Sequence, residues 1–184
     1  MEKTQTSTQI KWALDPNHSY IGFRAKHIVV AAIRGQFIRS SGEVLSINQD
    51  FSNADITVLI DATSITTALS VRDEQLKGPD FFDVEKFKEI KFKGDSLEKL
   101  NEGKYVLIGD LTIKATTKKV KLDVEFGGIV KDPFGNIKAG FAITGIINRK
   151  DFGLNKDTIL EAGGLMVGEQ ISIQCEVELI QQKS

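Results

Sequence analysis

Tyr105-Val106-Leu107-Ile108-Gly109-Asp110-Leu111-Thr112-Ile113 and, across a lysine-rich turn, Val120-Lys121-Leu122-Asp123-Val124-Glu125-Phe126 decide the fold of this chain. In the second stretch apolar and charged residues alternate; in the first, Tyr105, Leu107, Gly109, Leu111 and Ile113 share one face. A period of two is that of an extended strand, whose successive side chains point to opposite sides of a sheet. A strand with one apolar side belongs to an antiparallel sheet that covers a core with one face.

The same alternation recurs in both directions along the chain. Ser19, Ile21, Phe23, Ala25 and His27 oppose His18, Tyr20, Arg24 and Lys26. Ile33, Gly35 and Phe37 follow, then Ile56, Val58 and Ile60 against Asp55, Thr57 and Asp61. Ile90 and Phe92 alternate with lysines; later come Ala139, Phe141, Ile143, Gly145 and Ile147, and last Ile171, Ile173, Cys175, Val177 and Leu179. About eight strands result. Turn residues at Asn101-Glu102-Gly103-Lys104 and Asp132-Pro133-Phe134-Gly135-Asn136 make most joins antiparallel hairpins. The absence of crossover helices excludes a parallel α/β sheet and leaves a sandwich or a closed barrel. The barrel is preferred because closure abolishes exposed edges. Gly35, Gly109 and Gly145 fall on inward positions. Any one could mark a bend in a filled core, but three together favour space inside.

A chain of 184 residues, 41% hydrophobic, builds one domain with an ordinary core. Its formal charge of −1 gives no overall field for nucleic acid or an anionic membrane. The basic cluster Lys114, Lys118, Lys119 and Lys121 has no interleaved aromatics and reads as a solvated turn. Cys175 stands alone, so no internal disulfide forms, and with only His18 and His27 beside it a Cys/His zinc site lacks ligands. The first nine residues are polar and no run of about 18 apolar residues occurs. The chain as given therefore reads as cytoplasmic, or as periplasmic or secreted if a leader has been removed. Asn17-His18-Ser19 matches a glycosylation acceptor by letters alone.

One segment breaks the strand pattern. Ser70 to Lys77 reads as a short helix stopped by Gly78-Pro79, with Ser70 and Asp73 spaced as a capping box. Phe81 and Phe82 follow directly, so helix and aromatics form one insertion near residues 70–78. A plug that closes the core and a lid that opens fit it equally. Catalytic constellations are scarce. Ser19 and His27 share a face but are about 26 Å apart on an unbroken strand, and His18 and His27 point to opposite faces. No phosphate-cradling glycine loop or nucleophile elbow is present. His27 falls on the inner face, where a structural hydrogen bond is a commoner role than ligand contact. Arg149 with Asp151 and Arg72 with Asp73 read first as bracing pairs, although Arg149 lies beside an aromatic segment where it could meet an anionic head group. Cys175 reads as an inert core residue.

These residues carry a family resemblance. Trp12-Ala13-Leu14-Asp15-Pro16 with His18-Ser19, Phe23, His27 and Arg34-Gly35-Gln36-Phe37 resembles the opening of the YceI family of polyisoprenoid-binding proteins. The rest follows in order: Asp61-Ala62-Thr63-Ser64-Ile65-Thr66-Thr67, Arg72-Asp73 and Leu76, then Asp80-Phe81-Phe82-Asp83-Val84-Glu85-Lys86-Phe87. Gly109-Asp110-Leu111-Thr112-Ile113, Ile147-Asn148-Arg149-Lys150-Asp151-Phe152-Gly153-Leu154 and Val167-Gly168-Glu169 complete it. Lys88 and Lys119 stand where a proline is common in the family, and Asn155-Lys156 where many members carry Trp-Asn.

The resemblance implies an all-β fold, an extended antiparallel eight-stranded lipocalin-like barrel over residues 12–180, between a flexible segment 1–11 and a tail 181–184. It implies an isoprenoid-type ligand of the quinone-precursor or prenyl phosphate class, often in a homodimer, with no established reaction. The expected ligand-binding residues are Phe23, His27, Phe37, Leu76, Phe81, Phe82, Phe92, Leu111, Phe141, Arg149 and Phe152. No catalytic residue, metal, cofactor, nucleic acid or transmembrane segment is expected. Two alternatives stay open: an enzyme acting on such a lipid with His27 as general base, and a structural or interaction domain whose barrel is filled by its own side chains.

Overall fold

The computed structural model describes residues 8–28, 31–157 and 166–183. Its strands are β1 (Gln9–Leu14), β2 (Tyr20–His27), β3 (Ala31–Phe37), β4 (Ser40–Ile47), β5 (Asp50–Asp61) and β6 (Ile65–Thr66), followed by the helix α1 (Ser70–Lys77). Then come β7 (Glu89–Asn101), β8 (Lys104–Ile113), β9 (Thr116–Lys131), β10 (Ile137–Asn148) and β11 (Val167–Gln181). All pairings are antiparallel, in the order β1-β4-β5-β7-β8-β9-β10-β11, and β11 closes the ring on β1.

Register turns the remaining strands into continuations of these. Along β11, Leu179 to Gln181 face β1 and Val167 to Glu176 face β2, so β1 and β2 are successive parts of one stave. In the same way β3 pairs β2 while β4 pairs β1, and β6 pairs β3 where β5 pairs β4. Eleven strands thus make eight staves, the expected lipocalin-like barrel. Two strands escaped the periodicity because their alternation is short: β1, where Trp12 and Leu14 are buried, and β4, where Val44 and Ser46 are. β1 opens at Gln9, inside the expected flexible segment, because Gln9 to Ala13 pair with β4. β11 runs to Gln181, one residue into the expected tail.

The two ends of the barrel differ. At one end the β4–β5, β7–β8 and β9–β10 hairpins are tight, and aromatic rings fill the space between the staves. Phe51 lies 5.1 Å from Trp12 and 5.0 Å from Phe141 between ring centres, and Phe126 packs on Phe141 and Tyr105. The fully buried Trp12 donates its indole N–H to Ser46 Oγ at 2.9 Å, and Ser46 donates to the carbonyl of Asn48. Its one polar atom is therefore satisfied, as burial demands. A bulge at the Gly140/Phe141 step places Phe126 opposite Phe141, with both rings in this floor.

The β5–β7 ladder runs only from Ile56 opposite Gly94 to Asp61 opposite Glu89, so it leaves the floor to the rings. At the other end two seams open: beyond Asp61 and Glu89, where β5 ends and β7 begins, β6 pairs with β3 but not with β7 among the described residues, and β10 meets β9 no further than Thr144 and Asp123. The first seam lies beside α1 and residues 78–88, with Val84 buried there. A 3-10 turn, Arg149–Phe152, packs against β9 and β11 at the second. Both aromatic segments of the sequence sit at this open end.

The helix forms where expected but is not capped as expected. Its N-cap is Leu69, with no side-chain hydrogen bond, and Ser70 is already the first helical residue. Asp73 reaches back instead, accepting from Thr67 N at 2.7 Å, Thr67 Oγ1 at 2.6 Å and Thr66 Oγ1 at 3.0 Å. Arg72 grips the same residue, donating to Thr67 Oγ1 and to its carbonyl. Burial alone would raise the Asp73 pKa; the hydrogen bonds from Thr67 and Thr66 outweigh it and hold the carboxyl below its ordinary 3.8. A depressed folded-state pKa contributes stability that is complete above the unfolded value and lost as pH falls through the folded one. Asp73→Asn is thus expected to lower the melting temperature at neutral pH, and the gap between variant and parent to narrow as pH falls below about 4, where the carboxyl of the unfolded chain protonates before that of the folded one. A gap that stays constant from neutral to acid pH would mean that the carboxylate contributes nothing as a charge.

Candidate functional site

Inside the staves lies a cavity of about 900 Å³. Its wall is built by the parity read in the sequence: Ile21, Phe23 and Ala25 from β2, Ile56, Val58 and Ile60 from β5, Leu107, Leu111 and Ile113 from β8. β11 contributes Ile171, Ile173, Cys175, Val177 and Leu179. Phe51 and Phe141 are its deep end, resting on the buried Trp12. The barrel's own side chains fill the floor only.

Glycine explains how rings line the wall while the lumen stays open. Phe23 is paired across strands with Gly35, and a Cβ on Gly35 would come within 2.3 Å of the Phe23 ring. Phe92 lies in the same way over Gly109, whose Cβ would meet the ring and the Lys93 carbonyl at 2.5 Å. Each ring therefore lies flat in the space a side chain would take. The inward glycines make room as expected, but for the barrel's own side chains, Gly35 and Gly109 for rings and Gly145 for Leu122, which leaves the axis clear.

Of the expected ligand-binding residues, Phe23, His27, Phe37, Leu76, Phe81, Phe82, Phe92, Leu111, Phe141 and Arg149 all line this cavity. Phe82 meets Phe37 edge to face at 5.7 Å, and Phe37 packs on Phe23 at 5.9 Å, so the first aromatic segment is joined to the wall by a chain of rings. Phe152 is not among the lining residues. It is 2% exposed within the core, in the turn at the second seam, so its ring braces the barrel from beside the lumen. Residues that periodicity missed also line the cavity: Leu14 and Val44 from the overlooked strands, Phe51 at the start of β5, and Leu69 and Val71 at the start of the helix. Phe51 follows the hairpin residue Asp50 without neighbours that alternate with it, so only the floor reveals it.

Polar groups gather at the mouth: His27, Arg72, Gln75, Asp80 and Lys156. Arg149 borders the cavity too, yet its donors are committed elsewhere. Buried to 3% exposure, it donates to the carbonyls of Leu154, Lys156, Val167 and Gly168 and pairs with Asp157 at 2.5 Å. A guanidinium has five N–H groups, and this one spends them pinning the two arms of the β10–β11 connection together. Lys156 then reaches Asp80 at 2.7 Å, linking the second lip of the mouth to the first. The position at which this chain departs from the family pattern thus supplies the contact between the lips.

Cys175 points into the lumen instead of a filled core, and desolvation pushes its thiol up to about 11. It is a weak nucleophile there, with no base beside it among the described residues. Outside the barrel, Asp15, His18 and Glu178 bring possible ligand atoms within 4.8 Å of one another. Lys138 Nζ already lies 2.6 Å from Glu178 and 3.8 Å from Asp15, so an ammonium neutralises this cluster. Among the described residues no helix is long and apolar enough to cross a membrane.

A closed antiparallel barrel with a ring-packed floor, an apolar lumen and a loop-covered mouth defines a lipocalin-like architecture. The family model for the YceI-like domain matches residues 12–179, and the chain belongs to that family. A UPF0312 protein of Staphylococcus aureus strain N315 is 36% identical over 168 residues, 91% of this chain and 95% of that protein. Among solved structures, Burkholderia cenocepacia BcnA superposes with a TM-score of 0.77 at 20% identity, covering 90% of this chain and 98% of its own. A polyisoprenoid binding domain from Saccharophagus degradans, implicated in plant cell wall breakdown, superposes with a TM-score of 0.66 at 13% identity, covering 93% and 98%.

Proposed function

We propose that this protein is a non-catalytic carrier or store for a hydrophobic isoprenoid-type lipid, held tail-first in the barrel with its head at the mouth. The carrying observation is the separation of chemistry along the cavity: an apolar lumen of about 900 Å³, floored by Phe51 and Phe141, with polar groups gathered at the open end. The volume is at the upper end of small-ligand cavities, which run to roughly 1,000 Å³. The inward residues of β11 from Ile171 to Leu179 span about 26 Å along the strand at about 3.3 Å per residue. With strands tilted by about 40°, that is about 20 Å along the axis. A chain that fills half of a hydrocarbon core about 30 Å thick therefore fits without folding back. Each methylene buried contributes up to about 0.8 kcal/mol, so about ten reach the −8 kcal/mol of micromolar binding with no polar anchor. The fold shared with the polyisoprenoid binding domain of S. degradans supports the same class of ligand.

Mass spectrometry of organic extracts from gently purified protein tests this reading, with Cys175 as an internal reporter. A thiol raised from 9.0 to about 11 has about a hundredfold less thiolate at neutral pH, so alkylation by iodoacetamide is expected to be slow, to quicken up to pH 11, and to slow further with a bound polyprenol. If no lipid co-purifies, and added long-chain isoprenoids neither bind nor protect Cys175, the carrier reading is lost.

A further inference from the structure

We propose that the mouth of the barrel is a docking surface for an anionic lipid bilayer, at which cargo is loaded or released; this rests on the carrier reading. The rim is apolar where it faces solvent. Leu69 and Val71 are 50% and 67% exposed, yet both also line the cavity, so the lining continues out of the mouth onto the surface. Ile28, 41% exposed, adds a third apolar side chain at the end of β2, where its N–H bonds to the carbonyl of the cavity-lining Met166. Single exposed apolar residues are ordinary; a patch continuous with an apolar lumen is not.

The backbone holds these side chains out. Ala68, just before Leu69, has φ of 59°, and Ile28 has φ of 49°, a conformation that residues with a Cβ rarely adopt and branched ones least of all.

Charge is divided along the barrel in the same sense. On the mouth end Glu74, Asp80, Asp83 and Glu169 are each engaged by a lysine. Glu85 and Asp151 remain there, but Arg24, Lys26, Arg34, Lys88 and Lys118 make no ion pair among the described residues. The far end is nearly balanced, Glu98, Glu102 and Glu125 standing against Lys99, Lys104 and Lys131. A chain of net charge −1 is thus polarised, with its basic end at the mouth. A basic rim around projecting apolar side chains matches the negative surface and apolar interior of an anionic leaflet. A chain drawn tail-first from a leaflet also needs this end against the membrane, since the opposite end is closed by rings.

The test uses the full chain and vesicles of equal parts phosphatidylcholine and phosphatidylglycerol, against phosphatidylcholine alone. The parent protein is expected to co-sediment with the anionic vesicles and to be released by salt. Leu69→Asp with Val71→Asp, both at exposed positions, is expected to keep the fold by circular dichroism and to weaken vesicle binding at least about tenfold. Ile28→Asp, at an exposed position outside the cavity lining, is expected to weaken vesicle binding in the same sense and to keep affinity for a polyprenol presented in detergent micelles within a factor of about two. Absence of vesicle binding by the parent, or equal binding by the double variant, overturns the docking proposal. So does a mouth-to-mouth dimer, seen by sedimentation velocity to dissociate in the double variant, in place of vesicle binding. Vesicle binding without polyprenol binding keeps the docking surface and removes the carrier reading instead.

Discussion

Arg149→Met is expected to lower the free energy of unfolding by about 3–5 kcal/mol, the usual cost of removing one partner from a buried charged network. The side chain is 3% exposed, and four backbone carbonyls and Asp157 depend on it. Methionine restores much of the volume but none of the donors, so the carbonyls of Leu154, Lys156, Val167 and Gly168 lose their partner. The effect should reach function through position. The segment freed carries Lys156, whose ion pair with Asp80 joins the lips, so bound lipid is expected to leave faster from the variant. Lys156→Met separates the two consequences: it removes an exposed pair worth about 0–1 kcal/mol, so stability should hold while lipid release quickens. Chemical denaturation and stopped-flow release of a fluorescent prenol measure both. If Arg149→Met unfolds at the parent's denaturant midpoint, the guanidinium is not the pin of this lip.

Cys175→Trp should do the opposite, leaving the fold and removing the function. Position 175 faces open lumen midway along β11, so an indole there enters space otherwise available to the ligand. Displacing about four methylenes of a bound chain forfeits about 3 kcal/mol, a loss of roughly 200-fold in affinity. Cys175→Val, close to the original volume, should bind as the parent does. Equilibrium titration with a polyprenol decides it. Undiminished binding by the tryptophan variant would place the ligand outside the barrel.

The fold was legible because a barrel repeats one instruction. Where alternation ran over four or more apolar positions, as in β8 or β11, both the strand and its inward face followed, and Ile171 to Leu179 line the cavity on the parity read for them. β1 and β4 escaped because their alternation is short, and their staves are completed by β2 and β3, whose pattern had already been read. The helix was visible from its stop at Gly78-Pro79, but its cap was not. Ser70 and Asp73 have capping-box spacing, and only the turn at Thr66-Thr67 shows that Asp73 serves the preceding loop. The lining residues were legible for the same reason as the strands. Arg149 and Phe152 were less so. Side-chain hydrogen bonds to carbonyls as much as 19 residues away, and a ring beside a seam, leave no periodic trace.

The incomplete ladders give the barrel unequal compliance. Between β5 and β7 pairing runs only from Ile56 and Gly94 to Asp61 and Glu89, so beneath it the floor is held by packed rings instead of backbone. Between β9 and β10 it lapses above Thr144 and Asp123, where the Arg149–Phe152 turn packs in its place. Parting the mouth at that second seam breaks no strand pairing. The protein can yield at its rim to a cargo of variable girth while the distance from rim to floor stays fixed: it is tolerant in breadth and strict in depth.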